Sequence, residues 1–318
     1  MIKSPIKWAG GKTRVMPQLL KHLPKADCLI EPFVGSGTVF MNTEYRRYVL
    51  CDSNRALINF FLALRDDTER LIAIAKNQFR NGNNADSYYE ERKLFNNLSW
   101  DDECTDEYVV RWAASFLYLN RHCFNGLYRT NADGGFNVPF GRYKQPYFPE
   151  AEMRLFAEKA RDTKALFLFN DFRTSIPYIA KNRPDSVIYC DPPYIPVSET
   201  ANFTAYGKPF TLDDHRTLAA TLLDAHRQHG TRSVISNSDT PETREIYTAF
   251  NLHAFSVRRS VSAKSRDMAD EVIGVLRVCD GCGRSGGGNC PDCGPVMGAS
   301  TYGAMAAAGA FDGAEGFR

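Results

Sequence analysis

The hydrophobic pattern of the chain alternates between two kinds of segment. Six short apolar runs are rich in β-branched and aromatic residues, as buried strands are. They cover residues 28–30, 48–51, 165–169, 187–190, 233–236 and 272–278. Apolar residues at helical spacing lie between many of these runs, at 13–23, 211–229 and 241–250. Strands that alternate with helices form parallel βαβ units, so the pattern predicts an α/β fold with a doubly wound, mostly parallel, Rossmann-like sheet.

The alternation is interrupted between residues 54 and 149. Helical spacing of apolar residues occurs here at 56–64, 68–79 and 107–120, and the pattern is loop-like from 131 to 149. A stretch of this length is too long for an ordinary connection. We therefore expect a mainly helical inserted domain at residues 55–142, carried by a domain made of residues 1–54 and 143–278.

Composition and charge exclude several classes of protein. The 318 residues carry 39 Lys and Arg against 37 Asp and Glu, a net charge of +2. The chain has no run of about 18 apolar residues, and its first residues have no apolar region, so we expect neither a membrane span nor a signal peptide. These features predict a cytoplasmic protein with reduced cysteines.

Charge is distributed unevenly, and residues 120–142 form a basic and aromatic stretch. Its charged residues are Arg121, His122, Arg129 and Arg142, against Asp133 alone, and its aromatics are Phe124, Tyr128, Phe136 and Phe140. Such a loop suits phosphate contacts, hydrogen bonds to base edges and stacking. A solvated rim over packed aromatics is the alternative interpretation.

The C-terminal part has a different composition. About half of the 23 glycines follow residue 280, and Gly and Ala dominate residues 295–318, for which we expect a flexible tail. Two Cys-x-x-Cys pairs precede it, formed by Cys279, Cys282, Cys290 and Cys293. Four thiolates are a preferred ligand set of structural zinc, so we predict a zinc knuckle at residues 279–294 that holds one Zn²⁺. Free thiols or adventitious disulfides are the alternatives.

A turn with two glycines follows the first predicted strand. Gly35 and Gly37 lie in EPFVGSGTVF at residues 31–40, where a backbone without side chains can approach a nucleotide closely. Phe40 occupies the position of the third glycine of a dinucleotide fingerprint, which argues against a nicotinamide oxidoreductase. The next strand ends at Asp52, whose carboxylate can accept hydrogen bonds from ribose hydroxyls or, alternatively, cap the following helix.

The most specific motif is DPPY at residues 191–194. It follows the predicted strand 187–190, which places Asp191 at the carboxyl end of a buried strand. Two prolines stiffen the loop and remove two N–H donors. Asp191 and the Pro192 carbonyl can then accept the two hydrogens of an exocyclic amine, while Tyr194 stacks on the base that carries it. A rigid turn without chemistry is the alternative.

In combination these motifs resemble those of the Dam-type DNA adenine-N6 methyltransferases, which modify adenine in GATC. The matching segments are KWAGGK at 7–12, EPFVGSG at 31–37, DSN at 52–54, NGLYR at 125–129, FNVPFGRY at 136–143 and DPPY at 191–194. The resemblance extends from about residue 6 to residue 278. Its order of motifs, with cofactor motifs first, then an inserted DNA-reading domain and then the catalytic motif, is also that of the family.

The resemblance implies S-adenosylmethionine as methyl donor, double-stranded DNA as substrate and a methyltransferase-type sheet. It also implies that the protein acts in a bacterial or phage-infected cell. Catalysis would rest on Asp191, Pro192 and Tyr194, acting on an adenine flipped out of the duplex. The residues around the cofactor would be Trp8, Lys12, Gly35, Gly37, Asp52 and Asp191. The residues on DNA would be Lys7 and Arg129 at guanine, Leu127 and Pro139 at apolar base contacts, and Phe124 and Asn125 as a wedge near the target.

Three features depart from the family pattern. Phe124 stands where the family usually has tyrosine, which removes a hydrogen bond worth on the order of 1 kcal/mol. The cysteine pairs have no counterpart in the family. The alignment is loose around residues 173–186, which leaves open any contact from Asp171 and Phe172 to the cofactor.

An inert DNA-binding module of the same fold is the second function class, although both DPPY and the glycine turn are present.

Overall fold

The computed structural model describes residues 1–97, 105–183, 185–197, 209–258 and 268–276. Its strands are β1 (Cys28–Glu31), β2 (Arg47–Asp52), β3 (Leu166–Phe169), β4 (Ser186–Cys190), β5 (Arg232–Ser238), β6 (Phe250–Arg258) and β7 (Met268–Leu276). They form one seven-stranded sheet in the order β3-β2-β1-β4-β5-β7-β6. The first five strands in that order are parallel, and β7 runs antiparallel to both β5 and β6. The predicted α/β class with a mostly parallel sheet is confirmed.

The central strands β1 and β4 are buried along their whole length because helices cover both faces of the sheet. Successive side chains alternate between two cores: Leu29 and Leu50 belong to one, and Ile30 and Cys51 belong to the other. This alternation is the two-residue period of a strand. It explains why the sequence shows continuous short apolar runs rather than alternating polar and apolar residues.

The helices are α1 (Met16–Leu19), α2 (Thr38–Met41), α3 (Arg55–Asp66), α4 (Thr68–Asn81), α5 (Ala85–Asn96), α6 (Asp106–His122), α7 (Glu150–Asp162), α8 (Phe172–Asn182), α9 (Leu212–His229) and α10 (Pro241–Ile246). Buried aromatic residues of α3, α6 and α7 fill the first core, and aliphatic residues of α8 and α9 fill the second. Each fully buried large apolar side chain contributes about 1.5–3 kcal/mol to stability.

The helix predicted at 211–229 is confirmed, and its local sequence explains both ends. Thr211 accepts a hydrogen bond from the backbone of Asp214, and the Asp214 carboxylate accepts one from the backbone of Thr211, which is a complete capping box. The helix ends before Gly230, whose φ of 68° is left-handed and costs glycine little.

Two helices are shorter than predicted, each for a local reason. The segment predicted at 13–23 forms a 3₁₀ turn (Lys12–Arg14) and then the single α-helical turn α1. After α1 the chain continues in tighter turns, in which the Lys21 N–H donates to the Gln18 carbonyl and the His22 N–H donates to the Leu19 carbonyl. The segment predicted at 241–250 stops at residue 246 because Phe250 already pairs with Leu276 in the β6–β7 hairpin.

Several elements were not predicted. They are α5, α7, α8 and the separate strand β6. Pro177 lies inside α8, where proline normally argues against a helix. β6 alternates short polar and apolar residues in NLHAFSV, a weak signal that becomes a strand only by pairing with β7.

The interrupting helices α3 to α6 lie between β2 and β3 in the chain, as the sequence indicates. Their core is nevertheless shared with the sheet: Phe60 of α3 contacts Phe116 of α6 at 5.3 Å between ring centroids, and both belong to the core on one sheet face. Residues 1–276 form one compact unit. The boundaries of an inserted domain at 55–142 therefore stay a prediction. The predicted zinc knuckle and tail at 279–318 lie outside the described residues.

Candidate active site

Acidic residues stand at the carboxyl ends of three neighbouring parallel strands. β1 ends at Glu31, β2 ends at Asp52, and β4 leads directly into Asp191. The chain order reverses between β1 and β4. Strands β2 and β3 lie on one side of β1, whereas β4 and β5 lie on its other side. Such a switch point opens a crevice above the strand ends, which is where doubly wound folds bind ligands.

Asp191 is joined to the N-terminal segment by an ion pair. The Lys12 Nζ lies 2.7 Å from the Asp191 Oδ1, and only 8% of the lysine side chain is exposed. The same ammonium lies 4.5 Å from the centroid of the Tyr194 ring and donates a hydrogen bond to the Gly10 carbonyl at 2.9 Å. Burial raises the pKa of Asp191, and the Lys12 ammonium opposes that rise. A carboxylate and an aromatic face thus already hold one nitrogen donor.

The glycine turn has the backbone that only glycine adopts easily. Gly35 and Gly37 have φ angles of 48° and 70°, and a side chain on Gly37 would meet the Phe156 ring at 2.9 Å. The Asp52 carboxylate accepts a hydrogen bond from the Gly35 N–H at 3.0 Å. The role of helix cap belongs instead to Asn54, whose side chain accepts from the Leu57 N–H. Asp52 therefore holds the glycine turn in place.

Two carboxyl groups at this edge carry perturbed pKa values. Burial raises the pKa of Asp52 to about 6, although the backbone N–H groups of Gly35, Asn54 and Ser53 partly counteract it. Burial and the nearby Asp191 raise the pKa of Glu31 well above its usual range. Glu31 is 1% exposed, and its Oε1 has no hydrogen-bond partner among the described residues. A buried polar atom without a partner is costly and often marks a ligand site.

Trp8 connects the glycine turn to the basic, aromatic stretch. Its ring lies 3.2 Å from the point where a side chain on Gly35 would begin. On its other side the Trp8 ring lies 5.7 Å from the Tyr128 ring and 6.4 Å from the Phe116 ring. A cavity of about 360 Å³ borders Trp8 and Ser36 and extends to Arg121. Its walls do not include Asp52, Asp191 or Tyr194, so it adjoins the strand-end crevice without coinciding with it.

Residues 122–141 have a backbone tied by cross-connections. The Phe124 N–H donates to the Pro139 carbonyl at 2.8 Å, and the Gly141 N–H donates to the His122 carbonyl at 2.7 Å. Isolated β-bridges join residues 123 and 140 and residues 130 and 136. We call residues 122–141 the reading segment. Its loop-like sequence is held in one conformation by these long-range bonds.

The side chains predicted to contact DNA lie on the outer surface of the reading segment. Phe124 is 52% exposed, and Asn125, Arg129 and Pro139 are exposed as well, whereas Leu127 is partly buried. Asn125 has a left-handed φ of 55°, and its N–H donates to the Tyr143 hydroxyl at 2.9 Å. The Arg129 Nε donates to the Asn137 Oδ1 at 2.8 Å, which orients the guanidinium.

Lys7 lies against the reading segment although it belongs to the N-terminal segment. Its backbone exchanges two hydrogen bonds with the Asn120 side chain, at 2.9 and 2.7 Å. Its side chain packs so tightly on Gly126 that a Cβ there would lie 2.3 Å from the Lys7 Cβ. The Lys7 Nζ lies 4.2 Å from the Tyr143 ring centroid. The structure thus places Lys7 against the segment that carries Arg129, the other residue predicted to read guanine.

Sequence reasoning did not single out three polar residues at the strand ends. They are Glu31, Asn237 at the end of β5, and Glu271 on β7. Glu31 had a signal, since an acidic residue that ends a buried strand and precedes proline is unusual. Asn237 and Glu271 had none, because their position depends on the pairing of β5 with β7.

The four described cysteines, Cys28, Cys51, Cys123 and Cys190, are buried free thiols. Burial raises the pKa of Cys28 to about 11 and that of Cys51 to about 12, which leaves both as inert thiols.

Within the described ranges, no three His, Cys, Asp or Glu residues form a metal-binding group. No described helix is long and apolar enough to span a bilayer.

Comparison with known proteins decides the family. The profile of the D12 class N6 adenine-specific DNA methyltransferases matches residues 8–261. The chain belongs to this family. It is 44% identical over 275 residues to a DNA adenine methylase of Vibrio cholerae, which covers 85% of this chain and 95% of that protein. It is 44% identical to a DNA adenine methylase of Escherichia coli K12 (86% and 94% covered) and 43% identical to one of Serratia marcescens (86% and 97%).

Family membership confirms the predicted enzyme class, an adenine-specific DNA methyltransferase, and implies S-adenosylmethionine as methyl donor. The strand-end residues fit such a group. The unpartnered Glu31 carboxyl oxygen suits an ammonium, the Asp52 carboxylate suits hydroxyls, and the glycine turn admits close approach of the ligand.

Proposed function

We propose that this methyltransferase modifies adenine N6 in the GATC sites of double-stranded DNA, with the target base flipped out of the duplex. One observation carries the proposal: the Lys12 ammonium lies 2.7 Å from the Asp191 carboxylate and 4.5 Å from the Tyr194 ring centroid. The loop therefore binds a nitrogen donor between a carboxylate and an aromatic face. An adenine amine and its ring present the same two features to such a pocket.

In this proposal, Asp191 and the Pro192 carbonyl accept the two hydrogens of the adenine amine. Those two hydrogen bonds favour the pyramidal form of the nitrogen, whose lone pair is otherwise delocalised into the ring. Tyr194 stacks on the flipped base and fixes its plane. Catalysis is then mostly positioning and electrostatic stabilisation. The buried, high-pKa cysteines among the described residues offer no nucleophile, which favours direct transfer to the base.

The residues that would hold S-adenosylmethionine are Trp8, Lys12, Gly35, Gly37, Asp52 and Asp191, together with Glu31. When bound, this group supplies an electrophilic methyl on a sulfonium. Asp52 serves by accepting hydroxyl hydrogen bonds while it holds the Gly35 N–H. Lys12 has to share or release the Asp191 carboxylate when the target amine arrives, because its ammonium contacts one oxygen of that group.

Residues 55–142 would act as the DNA-recognition domain, with Lys7 added from the N-terminal segment. Arg129 suits guanine because an arginine fork can bond both O6 and N7 in the major groove. Phe124 and Asn125 would enter the base stack, and Leu127 and Pro139 would contact bases. Extruding the adenine costs about a few kcal/mol, which these contacts would offset. Such an enzyme would act on DNA in the bacterial cytoplasm.

The cysteine-rich residues 279–294 would hold one structural zinc, followed by a flexible tail at 295–318. This part of the proposal rests on the spacing of Cys279, Cys282, Cys290 and Cys293 alone. Metal content measured on the full chain and on a chain ending at residue 278 tests it. One equivalent of zinc in the full chain alone is expected, and equal zinc in both would contradict it.

Sequencing that detects N6-methyladenine tests the main proposal. The chain and its Asp191→Ala variant are expressed in bacteria that lack GATC methylation. Methylation confined to GATC is expected for the first and none for the second. Methylation in another sequence context would refute the proposed specificity, and a methylated genome with the variant would refute the role of Asp191.

A further inference from the structure

The backbone on both sides of Tyr194 is fixed by features outside the reaction. Pro193 precedes it and locks its own φ. Ile195 follows it, and its N–H donates to the Asn237 Oδ1 at 3.0 Å. Asn237 is fully buried at the end of β5, and the same oxygen also accepts the Ser238 N–H at 2.9 Å. What remains free at Tyr194 is therefore rotation of its side chain.

One hydrogen bond restrains that rotation at the tip of the ring. The Tyr194 hydroxyl donates to the Glu271 Oε2 at 3.1 Å. This bond spans two parts of the fold, because Tyr194 follows β4 whereas Glu271 lies on β7. A ring held at the Cα and at the hydroxyl has a defined plane. The Lys12 ammonium lies 4.5 Å from the centroid of that ring, so the ring already takes part in one electrostatic contact.

Glu271 is a rigid anchor because it sits between two paired strands. Its backbone is in register with Ser238 of β5 and with Phe255 of β6. The adjoining residues Val272 and Ile273 are buried in the sheet. The strand therefore fixes the backbone of Glu271, and the bond to the Tyr194 hydroxyl restrains the side chain that carries the carboxylate.

We propose that Glu271 is a positioning residue of this enzyme, which holds the Tyr194 ring in the plane that stacks on the target adenine. Glu271 acts through Tyr194, and its carboxylate serves only as a hydrogen-bond acceptor. The tyrosine hydroxyl takes no part in methyl transfer and exists to reach this acceptor. The inference rests on the proposed role of the DPPY loop.

The test is a double-mutant cycle with Glu271→Ala, Tyr194→Phe and the two combined. Each single variant should lower the single-turnover methylation rate on a GATC duplex about tenfold, the effect of losing one hydrogen bond to a charged group. The double variant should be no slower than either single one, because both remove the same bond. The KM for DNA should stay within about twofold of wild type.

Three further measurements separate positioning from a general structural role. Glu271→Gln keeps an acceptor oxygen and should restore the rate to within about threefold of wild type. Asp270→Ala removes the neighbouring exposed carboxylate, which accepts from Ser256, and should leave the rate unchanged. With 2-aminopurine in place of the target adenine, Glu271→Ala and Tyr194→Phe should change the fluorescence of the enzyme–DNA complex equally, without any cofactor, since both alter stacking on the base.

Additive losses in the double variant, or a Gln variant as slow as the Ala variant, would overturn the proposal. A rate equal to wild type in either single variant would do so as well. If Glu271→Ala does not fold, Tyr194→Phe and Glu271→Gln still decide the question, since each alters a single atom or group. An active Asp191→Ala enzyme in the same assay would instead refute the proposed role of the loop, whatever the Glu271 variants show.

Discussion

The catalytic loop (residues 191–194) and the reading segment (residues 122–141) are held in place in different ways. In the catalytic loop the functional side chains are themselves held: Asp191 by Lys12, and Tyr194 by Glu271. In the reading segment the backbone is held, by bonds such as Phe124 N–H to Pro139 carbonyl, while the side chains of Phe124 and Arg129 remain exposed. A site for chemistry needs fixed charges in a place of low dielectric constant, whereas a surface for recognition needs a fixed frame whose side chains are exposed to a partner.

This difference predicts that mutations in the two regions have different signatures. Replacing a buried catalytic group removes an electrostatic effect that is large because the group is shielded from water. Replacing an exposed reading residue changes affinity and sequence preference but leaves the fold intact. The following four predictions test that contrast.

The largest effect is expected from Asp191→Asn, which keeps the size of the side chain and removes its charge. The rate of methyl transfer should fall by about 10³-fold, because the amine loses its charged acceptor. Affinity for DNA should change little, since the exposed residues of the reading segment are untouched. Single-turnover kinetics and fluorescence anisotropy measure the two quantities. A variant with a tenth of the wild-type rate would contradict the assigned role.

Arg129→Ala should lower kcat/KM for GATC by about 10- to 100-fold, the value of a bidentate guanine contact. It should also reduce discrimination against duplexes in which a guanine of the site is changed. The free energy of unfolding should stay within about 0.5 kcal/mol of wild type because Arg129 is exposed. Arg216→Ala, which breaks an exposed pair with Asp213, is the matched control and should affect neither activity nor specificity. Equal discrimination in wild type and the Arg129 variant would count against direct readout.

A pair of glycine substitutions compares the packing of the two regions. Gly37 and Gly134 both have left-handed φ angles, of 70° and 83°. A Cβ on Gly37 meets Phe156 at 2.9 Å, whereas one on Gly134 meets nothing within 4 Å. Both alanine variants should lose about 1–2 kcal/mol through backbone strain, and Gly37→Ala should lose about 1–3 kcal/mol more through the clash. Urea denaturation measures both. Equal losses in the two variants would show that the residues around Gly37 rearrange to accommodate the added methyl group.

The smallest effect concerns two buried histidines, His215 on α9 and His122 at the start of the reading segment. Burial lowers the pKa of His215 to about 4, and it lowers the pKa of His122 to about 4 as well. The His215 ring also interacts with the Pro193 carbonyl. An unfolded histidine titrates near about 6.5. The unfolded chain therefore takes up protons first, so the stability that each neutral ring contributes is complete above pH 6.5 and is lost as the pH falls towards 4.

Between pH 6.5 and 5.5, each of the two histidines should lower the free energy of unfolding of the wild type by roughly 1 kcal/mol. His215→Gln and His122→Gln should each abolish that part of the loss. Denaturant titrations at several pH values give this slope. The double variant should show the sum of the two effects, because the rings lie in different regions. A wild-type slope in either single variant would mean that the corresponding ring titrates normally.

The sequence predicted the parts of the fold that depend on local patterns. The strands around residues 28–30, 48–51 and 187–190 follow from continuous apolar runs, and the helix at 211–229 follows from the helical spacing of its apolar residues. Helices α5, α7 and α8 and strand β6 escaped prediction because their local signals are weak. They form through contacts with elements distant in the chain, as β6 does with β7.

The candidate site shows the same division. Its motifs, the two glycines, Asp52 and DPPY, are local, and each could be assigned a chemistry from its residue types. The contacts between motifs could not. Lys12 was expected beside the cofactor, and the structure places its ammonium on Asp191. Lys7 could be assigned to the reading segment only by resemblance, and the structure joins it to Asn120, 113 residues away.

By itself, the sequence determined the α/β class, the family and the residue types that carry the chemistry, because apolar periodicity, turn residues and short motifs are local properties of the chain. Only the tertiary structure decided which polar groups meet: Lys12 with Asp191, and Glu271 with Tyr194. It also decided that the Glu31 Oε1 is buried without a hydrogen-bond partner among the described residues. Those contacts depend on the strand order and on the antiparallel β6–β7 hairpin, whose register is set by packing across the whole sheet. Burial then sets the pKa values and electrostatics of the site, which no local pattern contains.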